Sequence, residues 1–344
     1  MSMSRRAFLN TCLGLGVVAV AGRNAAHAAV EREQWYLFGT LVDVTLADVT
    51  SFEAHSAFSD LSAALQQMNR DWHPWEPGVM GDINQALAKG EGITIDHHMA
   101  HMVSEIKTLH AASRETFNPA IGKVVAQWGF HGRSNGAWQP PDSDSIDGVL
   151  STSPSPRDLD LVDNRLSSTN TEVQLDLGGY AKGYALALGL ELLGRLGVRN
   201  AMINAGGDLV TLGRASSGWN ERPWRVAVRH PQRPGVVAWL ETMSGEAVFT
   251  SGNYERYHEY RGVRYQHIID PRSGRPATGL ISATVVHDNA ALADAAATAL
   301  VVAGPTVWRE VAASLGVARA MVVDERGRIQ TTPEMARRVH LQAV

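Results

Sequence analysis

Asp294 and Thr298 stand four residues apart in 292–304, a stretch otherwise made of Ala, Leu, Val and Gly. On a helix that spacing puts both on one face, one turn apart. A carboxylate on an apolar helix loses hydration unless something compensates for it. A hard cation would do so, and a carboxylate plus a hydroxyl is a ligand set that Mg²⁺ accepts, with phosphates and water completing its shell. The competing reading is an acid near a helix N-terminus, stabilised by the helix dipole.

Three other segments carry chemistry-bearing residues. In 176–185, DLGGYAKGYA, the pair Gly178-Gly179 lies between a strand ending at Leu177 and a helix with Lys182 in its first turn. Glycines there let the backbone approach a ligand, and a helix N-terminus favours an anion. The spacing fits neither the dinucleotide fingerprint nor the P-loop, and a plain strand-to-helix turn explains it equally well. In 204–213, NAGGDLVTLG, Gly206-Gly207-Asp208 reads first as a hairpin turn between two apolar runs. The third segment runs from Thr250-Ser251-Gly252-Asn253-Tyr254 to His267-Ile268-Ile269-Asp270-Pro271. His267 there opens an apolar strand end, where packing or surface exposure is the simpler explanation of a lone imidazole. His97 and His101 sit at i, i+4 as transition-metal ligands do. Asp96 is a good N-cap for the helix that follows, however, which leaves His97, His98 and His101 to its wet face.

The elements that must position these residues follow from hydrophobic periodicity. A strand is expected over 36–46, with Val42, Val44 and Leu46 on one face. Helices are expected around Phe58, Leu61, Leu65 and Met68, and around Met99, Met102, Ile106 and Leu109. Residues 134–157 turn to Ser, Pro, Asp and Gly, which reads as a surface loop or a weak boundary. Strands follow at 173–177, 201–204, 209–212, 224–228, 236–240, 266–269 and 281–286. A buried helix over 181–196 and another from Leu292 interrupt them. Runs of strands with interspersed helices point to an α+β class built of mixed, strand-rich layers rather than a regular βαβ alternation.

At 344 residues the chain can bury a large core, and 44% hydrophobic against 19% charged residues excludes a disordered chain. A net charge of −4 without a Lys/Arg stripe argues against a nucleic-acid partner. The N-terminus reads as an address. Arg5-Arg6 precede Phe8 and Leu9, a weakly apolar run covers 13–21, and Ala26-His27-Ala28 fits a cleavage site. That order is a Tat signal peptide over 1–28, leaving one domain over 29–344 that is exported by the Tat translocase to the periplasm and is soluble there. The apolar run is too short to span a bilayer, which takes ~20 residues. Cys12, the sole cysteine, leaves with the signal, so the mature chain has no disulfide, thiolate metal site or Cys nucleophile.

Taken in order, these segments resemble the ApbE family, the FAD:protein FMN transferases. The resemblance runs from 38 to about 304. It comprises Phe38-Gly39-Thr40, Asn69 with 72–84, Phe117-Asn118-Pro119, Trp128-Gly129-Phe130, 176–184, 204–208, Thr250-Ser251-Gly252, 267–274 and 294–298. It implies an ApbE-like fold with FAD bound in a cleft between two subdomains. The implied reaction is Mg²⁺-dependent transfer of the FMN half of FAD to a Thr or Ser hydroxyl of an acceptor protein, such as a membrane-bound electron-transfer subunit, with release of AMP. By the same resemblance Asp294, Thr298 and the backbone carbonyl near Gly179 hold the metal, and His267 is the base. Asp176, Lys182 and Ile268 contact FAD, and Phe38, Trp75 and Trp128-Gly129-Phe130 belong to flavin-pocket segments. Two positions depart from the family: Phe38 replaces the usual Met, and Asn118 replaces the Asp of Phe-Asp-Pro. The alternatives are a FAD pyrophosphatase yielding FMN and AMP, and a non-catalytic flavin-binding maturation factor for a respiratory reductase. With an ordinary imidazole pKa of ~6.5, His267 would impose a loss of rate on the acid side of neutrality.

Overall fold

The computed structural model describes residues 29–130, 138–216 and 221–342. The signal segment 1–28 and the first part of 134–157 therefore lie outside the described residues.

Along the chain come β1 (Ala29–Leu37), β2 (Thr40–Val49), α1 (Ser51–Asp71), α2 (Val79–Ala88), β3 (Ile93–Thr94), α3 (His97–Ala112), α4 (Gly122–Gln127), α5 (Ser143–Leu150), β4 (Leu159–Val162), β5 (Arg165–Ser168) and α6 (Ala181–Arg195). The second half holds β6 (Asn200–Ala205), β7 (Asp208–Leu212), β8 (Trp224–Arg229), β9 (Val236–Thr242), β10 (Ala247–Gly252), β11 (Tyr257–Tyr260), β12 (Val263–Gln266), β13 (Ile269–Asp270), β14 (Arg275–Pro276), β15 (Leu280–His287), α7 (Ala290–Ser314), β16 (Ala320–Asp324), β17 (Ile329–Thr331), α8 (Pro333–Ala336) and β18 (His340–Leu341).

The α+β class expected from sequence is what the chain adopts. An eight-stranded sheet in the order β1-β2-β6-β7-β10-β15-β16-β17 forms its centre, antiparallel at every pairing. Strand alternation divides its side chains between two cores. Val42, Val44, Ile203, Phe249, Ala283 and Val285 face α1, α3, α6 and α7 in the main core. Leu209, Val248, Val286 and Met321 face the opposite way, onto Val226, Val228 and Leu240 of the outer sheet β8–β9–β18. A third cluster around Val124, Trp128, Ile146 and Ile269 joins α4 and α5 to β13.

Helix ends follow local chemistry. Thr50 and Glu53 close a capping box on α1, and Asp96 accepts from the Met99 N–H at 2.8 Å to cap α3. Helix α7 is long and apolar enough to cross a membrane, yet 72% of its apolar window is buried inside the protein. It is broken where Gly304 takes φ 72° ahead of Pro305.

Four expectations are corrected. The strand over 36–46 is a hairpin, because Phe38 and Gly39 both take positive φ and turn the chain. Residues 173–177 form no strand: Ile121↔Gln174 is an isolated parallel bridge, and both backbone groups of Leu175 bond to the side chain of Asn84 at 2.7 and 2.9 Å. The described part of 134–157 contains α5, which buries Ile146 and Val149, rather than a bare loop. The strand over 266–269 is interrupted at His267-Ile268.

Candidate active site

Helix α6 begins without a side chain of its own to cap it. The Gly183 N–H of its first turn instead donates to the Asp294 carboxylate of α7 at 2.9 Å. That contact requires close backbones, since a Cβ on Gly183 would lie 2.3 Å from the Ala290 carbonyl oxygen. One turn further along α7, the Thr298 hydroxyl lies 3.1 Å from that of Ser251 on β10. Gly179 closes the corner: a Cβ there would stand 2.9 Å from Thr298 Oγ1. Gly179, remote in sequence from Asp294 and Thr298, is thus brought against the same stretch of α7.

Lys182 forms an ion pair with Asp208 at the start of β7, and Asp208 also accepts from the Thr250 N–H at 2.7 Å. Burial opposes the ammonium, but Asp208 and then Asp294 hold the Lys182 pKa above its usual value. Asp294, only 5% exposed, has its pKa raised by burial to about 7, against the pull of Lys182. A carboxylate, a hydroxyl and backbone at a glycine form an all-oxygen donor set that suits Mg²⁺. Among the described residues no group of three or more His, Cys, Asp or Glu is placed to hold a metal, and this includes His97, His98 and His101.

On the other side of the site, His267 Nδ1 lies 3.1 Å from the Arg256 carbonyl. That carbonyl is an acceptor, so Nδ1 carries the proton and Nε2 keeps its lone pair. Burial, followed by the Arg256 charge, lowers the His267 pKa to about 4. Lys182 lowers it further and Asp176 opposes them, so both charges reach the imidazole. Phe130 presents its ring edge-on to His267 at 6.2 Å and stacks on His258 at 4.7 Å.

The remaining candidates divide. Phe38, half-buried, has its N–H held by Asn69 at 2.8 Å. Its neighbour Gly39 leaves room for the Arg256 guanidinium, which would sit 2.8 Å from a Cβ there. Asp176 accepts from the Gly178 N–H at 2.9 Å. Trp75 lines a surface pocket of about 510 Å³ with Asn84, Lys123 and Gln174. The Trp128 ring is buried, with Nε1 donating to the Gly274 carbonyl at 2.7 Å. Gly129 takes positive φ, and its carbonyl lies 3.2 Å from His258 Nε2. Ile268 is likewise buried, in the main core. Trp128 and Ile268 are thus both buried in this structure. Asp208, Ser251, Arg256 and His258 join the site without having been singled out as ligand contacts. For Asp208 the available signal was a carboxylate directly after a Gly-Gly turn, and for Ser251 its place in the Thr250-Ser251-Gly252 motif; Arg256 and His258 carried none.

The sequence model of the ApbE family matches residues 38–322, which span every one of these groups. The chain belongs to the ApbE family. A FAD:protein FMN transferase of Rhodobacter capsulatus is 42% identical over 348 aligned positions, covering 99% of this chain and 64% of that protein. The chain thus spans less than two thirds of that relative. An enzyme of the same description from Klebsiella pneumoniae (strain 342) is 27% identical, with 94% and 93% of the two chains covered. Among solved structures, the ApbE protein of Thermotoga maritima superposes with a TM-score of 0.82 at 27% identity, covering 90% of this chain and 98% of that one. The apo flavinyl transferase ApbE of Pseudomonas stutzeri gives 0.79 at 25% identity, covering 92% and 98%. The shared fold covers the central sheet and the helices packed on it.

Proposed function

We propose that the protein transfers the FMN half of FAD to a Thr or Ser hydroxyl of an acceptor protein and releases AMP. The acceptor oxygen forms a bond to the FMN phosphorus, the pyrophosphate P–O bond to AMP breaks, and the hydroxyl proton passes to His267 Nε2. The observation that carries this reading is the 3.1 Å contact of His267 Nδ1 with the Arg256 carbonyl, which implies the tautomer. With Nδ1 on the Arg256 carbonyl, the free lone pair is left on Nε2 of an imidazole that the Lys182 charge reaches. Asp294, Thr298 and the backbone at Gly179 would hold Mg²⁺, which supplies Lewis-acid stabilisation of the pyrophosphate as AMP departs. Lys182 meets phosphate charge, and Asp208 keeps it oriented. Phe38, Phe130 and Trp75 offer partly open aromatic faces for the FAD rings, and Asp176 accepts from its ribose or adenine.

Incubation of the protein with FAD, Mg²⁺ and candidate acceptor fragments tests the reading. Covalent flavin fluorescence on a denaturing gel, together with equimolar AMP, is expected. Free FMN and AMP with no labelled acceptor would assign the pyrophosphatase activity instead, and no AMP would leave a binding protein.

We also propose export to the periplasm by the Tat route, on the strength of Arg5-Arg6 and the Ala26-His27-Ala28 site. Replacing both arginines with lysine should strand the precursor in the cytoplasm. Normal periplasmic levels of that variant would rule the route out.

A further inference from the structure

The turn that sets Gly179 against Thr298 is closed locally, in part by the Gly178 N–H donating to Asp176 at 2.9 Å, and is tied to the rest of the protein through the residue that follows. Tyr180, the residue before α6, takes φ −148° and ψ −44° and caps nothing with its side chain. Its N–H and that of Ala181 both return to the Leu177 carbonyl, at 2.9 and 2.8 Å. The turn's tie to the surrounding helices is the Tyr180 side chain. It is fully buried, and its hydroxyl donates to the Glu105 carboxylate of α3 in a short hydrogen bond.

The anchor is rigid on both sides. Tyr180 stacks on Tyr184 with rings 5.9 Å apart and 17° between planes, and Tyr184 in turn meets Trp72 at 5.6 Å. Helix α3, which carries Glu105, buries Met102 and Ile106 on either side of it in sequence. Glu105 itself also lines a surface cleft of about 740 Å³, so its carboxylate stays partly hydrated while holding the buried phenol.

We propose that Glu105 is a positioning residue for the cation corner: by holding the Tyr180 hydroxyl it sets the 177–180 turn, and with it Gly179, against Thr298 and Asp294. The inference rests on reading Gly179, Asp294 and Thr298 as the cation ligands. Groups that orient a ligand in this way typically alter metal affinity by about 10–100-fold when removed.

The test uses Mn²⁺ as the probe, with the free ion followed by electron paramagnetic resonance, on the full chain and its Glu105→Ala, Glu105→Gln, Tyr180→Phe and Asp294→Ala variants. Glu105→Ala and Tyr180→Phe are expected to weaken Mn²⁺ binding by about tenfold or more. Their turnover should return to the wild-type value at saturating metal, and FAD affinity should be unchanged. Glu105→Gln keeps an oxygen that accepts from the phenol and should bind Mn²⁺ nearly as wild type does. Tyr180→Phe retains the ring, so it remains informative should Glu105→Ala fold poorly. Wild-type Mn²⁺ affinity in Tyr180→Phe and Glu105→Ala, alongside lost binding in Asp294→Ala, would overturn the positioning role. Undiminished binding in Asp294→Ala would instead overturn the ligand reading on which it rests.

Discussion

The proposed transfer needs two side chains deprotonated, His267 as the base and Asp294 as the cation ligand. His267 must be neutral to accept a proton, and its pKa of about 4 keeps it so through most of the acid range. Asp294 must be ionised to hold a cation, and burial raises its pKa to about 7. On that reading a proton and a cation would compete for Asp294 just below neutrality, and saturating Mg²⁺ would displace the proton. The acid limb of the transfer rate should lie near pH 7 at low Mg²⁺ and move toward pH 4 as Mg²⁺ is raised. Single-turnover transfer across pH at two Mg²⁺ concentrations measures this. A limb fixed near 6.5 at both concentrations, as an ordinary imidazole would give, would sink the assignment. His267→Ala should lower the rate by about 10²–10⁴-fold, the usual scale for losing a general base, and leave FAD binding intact.

At the scale of elements, the site exists because α6 and α7 meet backbone to backbone. Gly183→Ala would place a methyl 2.3 Å from the Ala290 carbonyl oxygen and 2.8 Å from its carbon, atoms that move only if the helices part. The expected loss is about 1–3 kcal/mol of stability, the range for overpacking, with weaker cation binding as Asp294 shifts from Gly183. Gly194→Ala in the same helix is the control. Nothing lies within 4 Å of its added Cβ, so it should gain about 0.5–1 kcal/mol from helix propensity. Equal melting temperatures for the two variants would mean that the contact is soft.

The same scale explains what the sequence could and could not reveal. Phe58, Leu61 and Leu65, or Met99, Met102 and Ile106, repeat at helical spacing because each faces one continuous core, so α1 and α3 were legible. The β6–β7 hairpin was legible because Gly206-Gly207 names its own turn. The β1–β2 turn was hidden, since Phe38 adopts positive φ where sequence leads one to expect glycine. At 173–177 the alternation of Val173, Leu175 and Leu177 correctly marked burial, but the partner is the Asn84 side chain, and a side-chain mimic of a strand has no sequence period. In α5 the polar composition masked Ile146 and Val149 at i, i+3. Within the site, Asp294 and Thr298 were legible from spacing on one helix. Whether Trp128 opens toward a ligand or closes into a core depends on Gly274, 146 residues away.

For the whole molecule, acid should act in two stages. His110 is buried, with Nδ1 on the Phe117 carbonyl at 2.9 Å and Nε2 without a partner among the described residues. Burial lowers its pKa from 6.5, as it does for His267. A histidine kept neutral by folding takes up its proton first in the unfolded chain, so stability is full above pH 6.5 and declines as pH falls below it. For His267 the window ends near pH 4. Asp294 works in the opposite sense. Its folded pKa of about 7 against an ordinary 3.8 adds stability as pH falls between those values, and a bound cation removes that gain. The second stage belongs to Glu246, which ties the body to its C-terminal segment by accepting from Arg319 at 2.7 Å and from Arg338 at 2.6 and 2.9 Å. Burial opposes its ionisation, but the Arg338 and Met243 hydrogen bonds and the two guanidinium charges lower its pKa below 4.5. Its contribution is present above pH 4.5 and is lost as pH falls through the lowered value. Melting temperature should therefore decline gently from pH 6.5, more steeply with Mg²⁺ than without, and then collapse below about pH 4.5. His267→Ala should flatten part of the first stage only. Glu246→Gln should lose about 3 kcal/mol at neutral pH, since it leaves two arginines without their counter-charge, and should blunt the second stage only. A single transition unmoved by either substitution would place the acid sensitivity elsewhere in the chain.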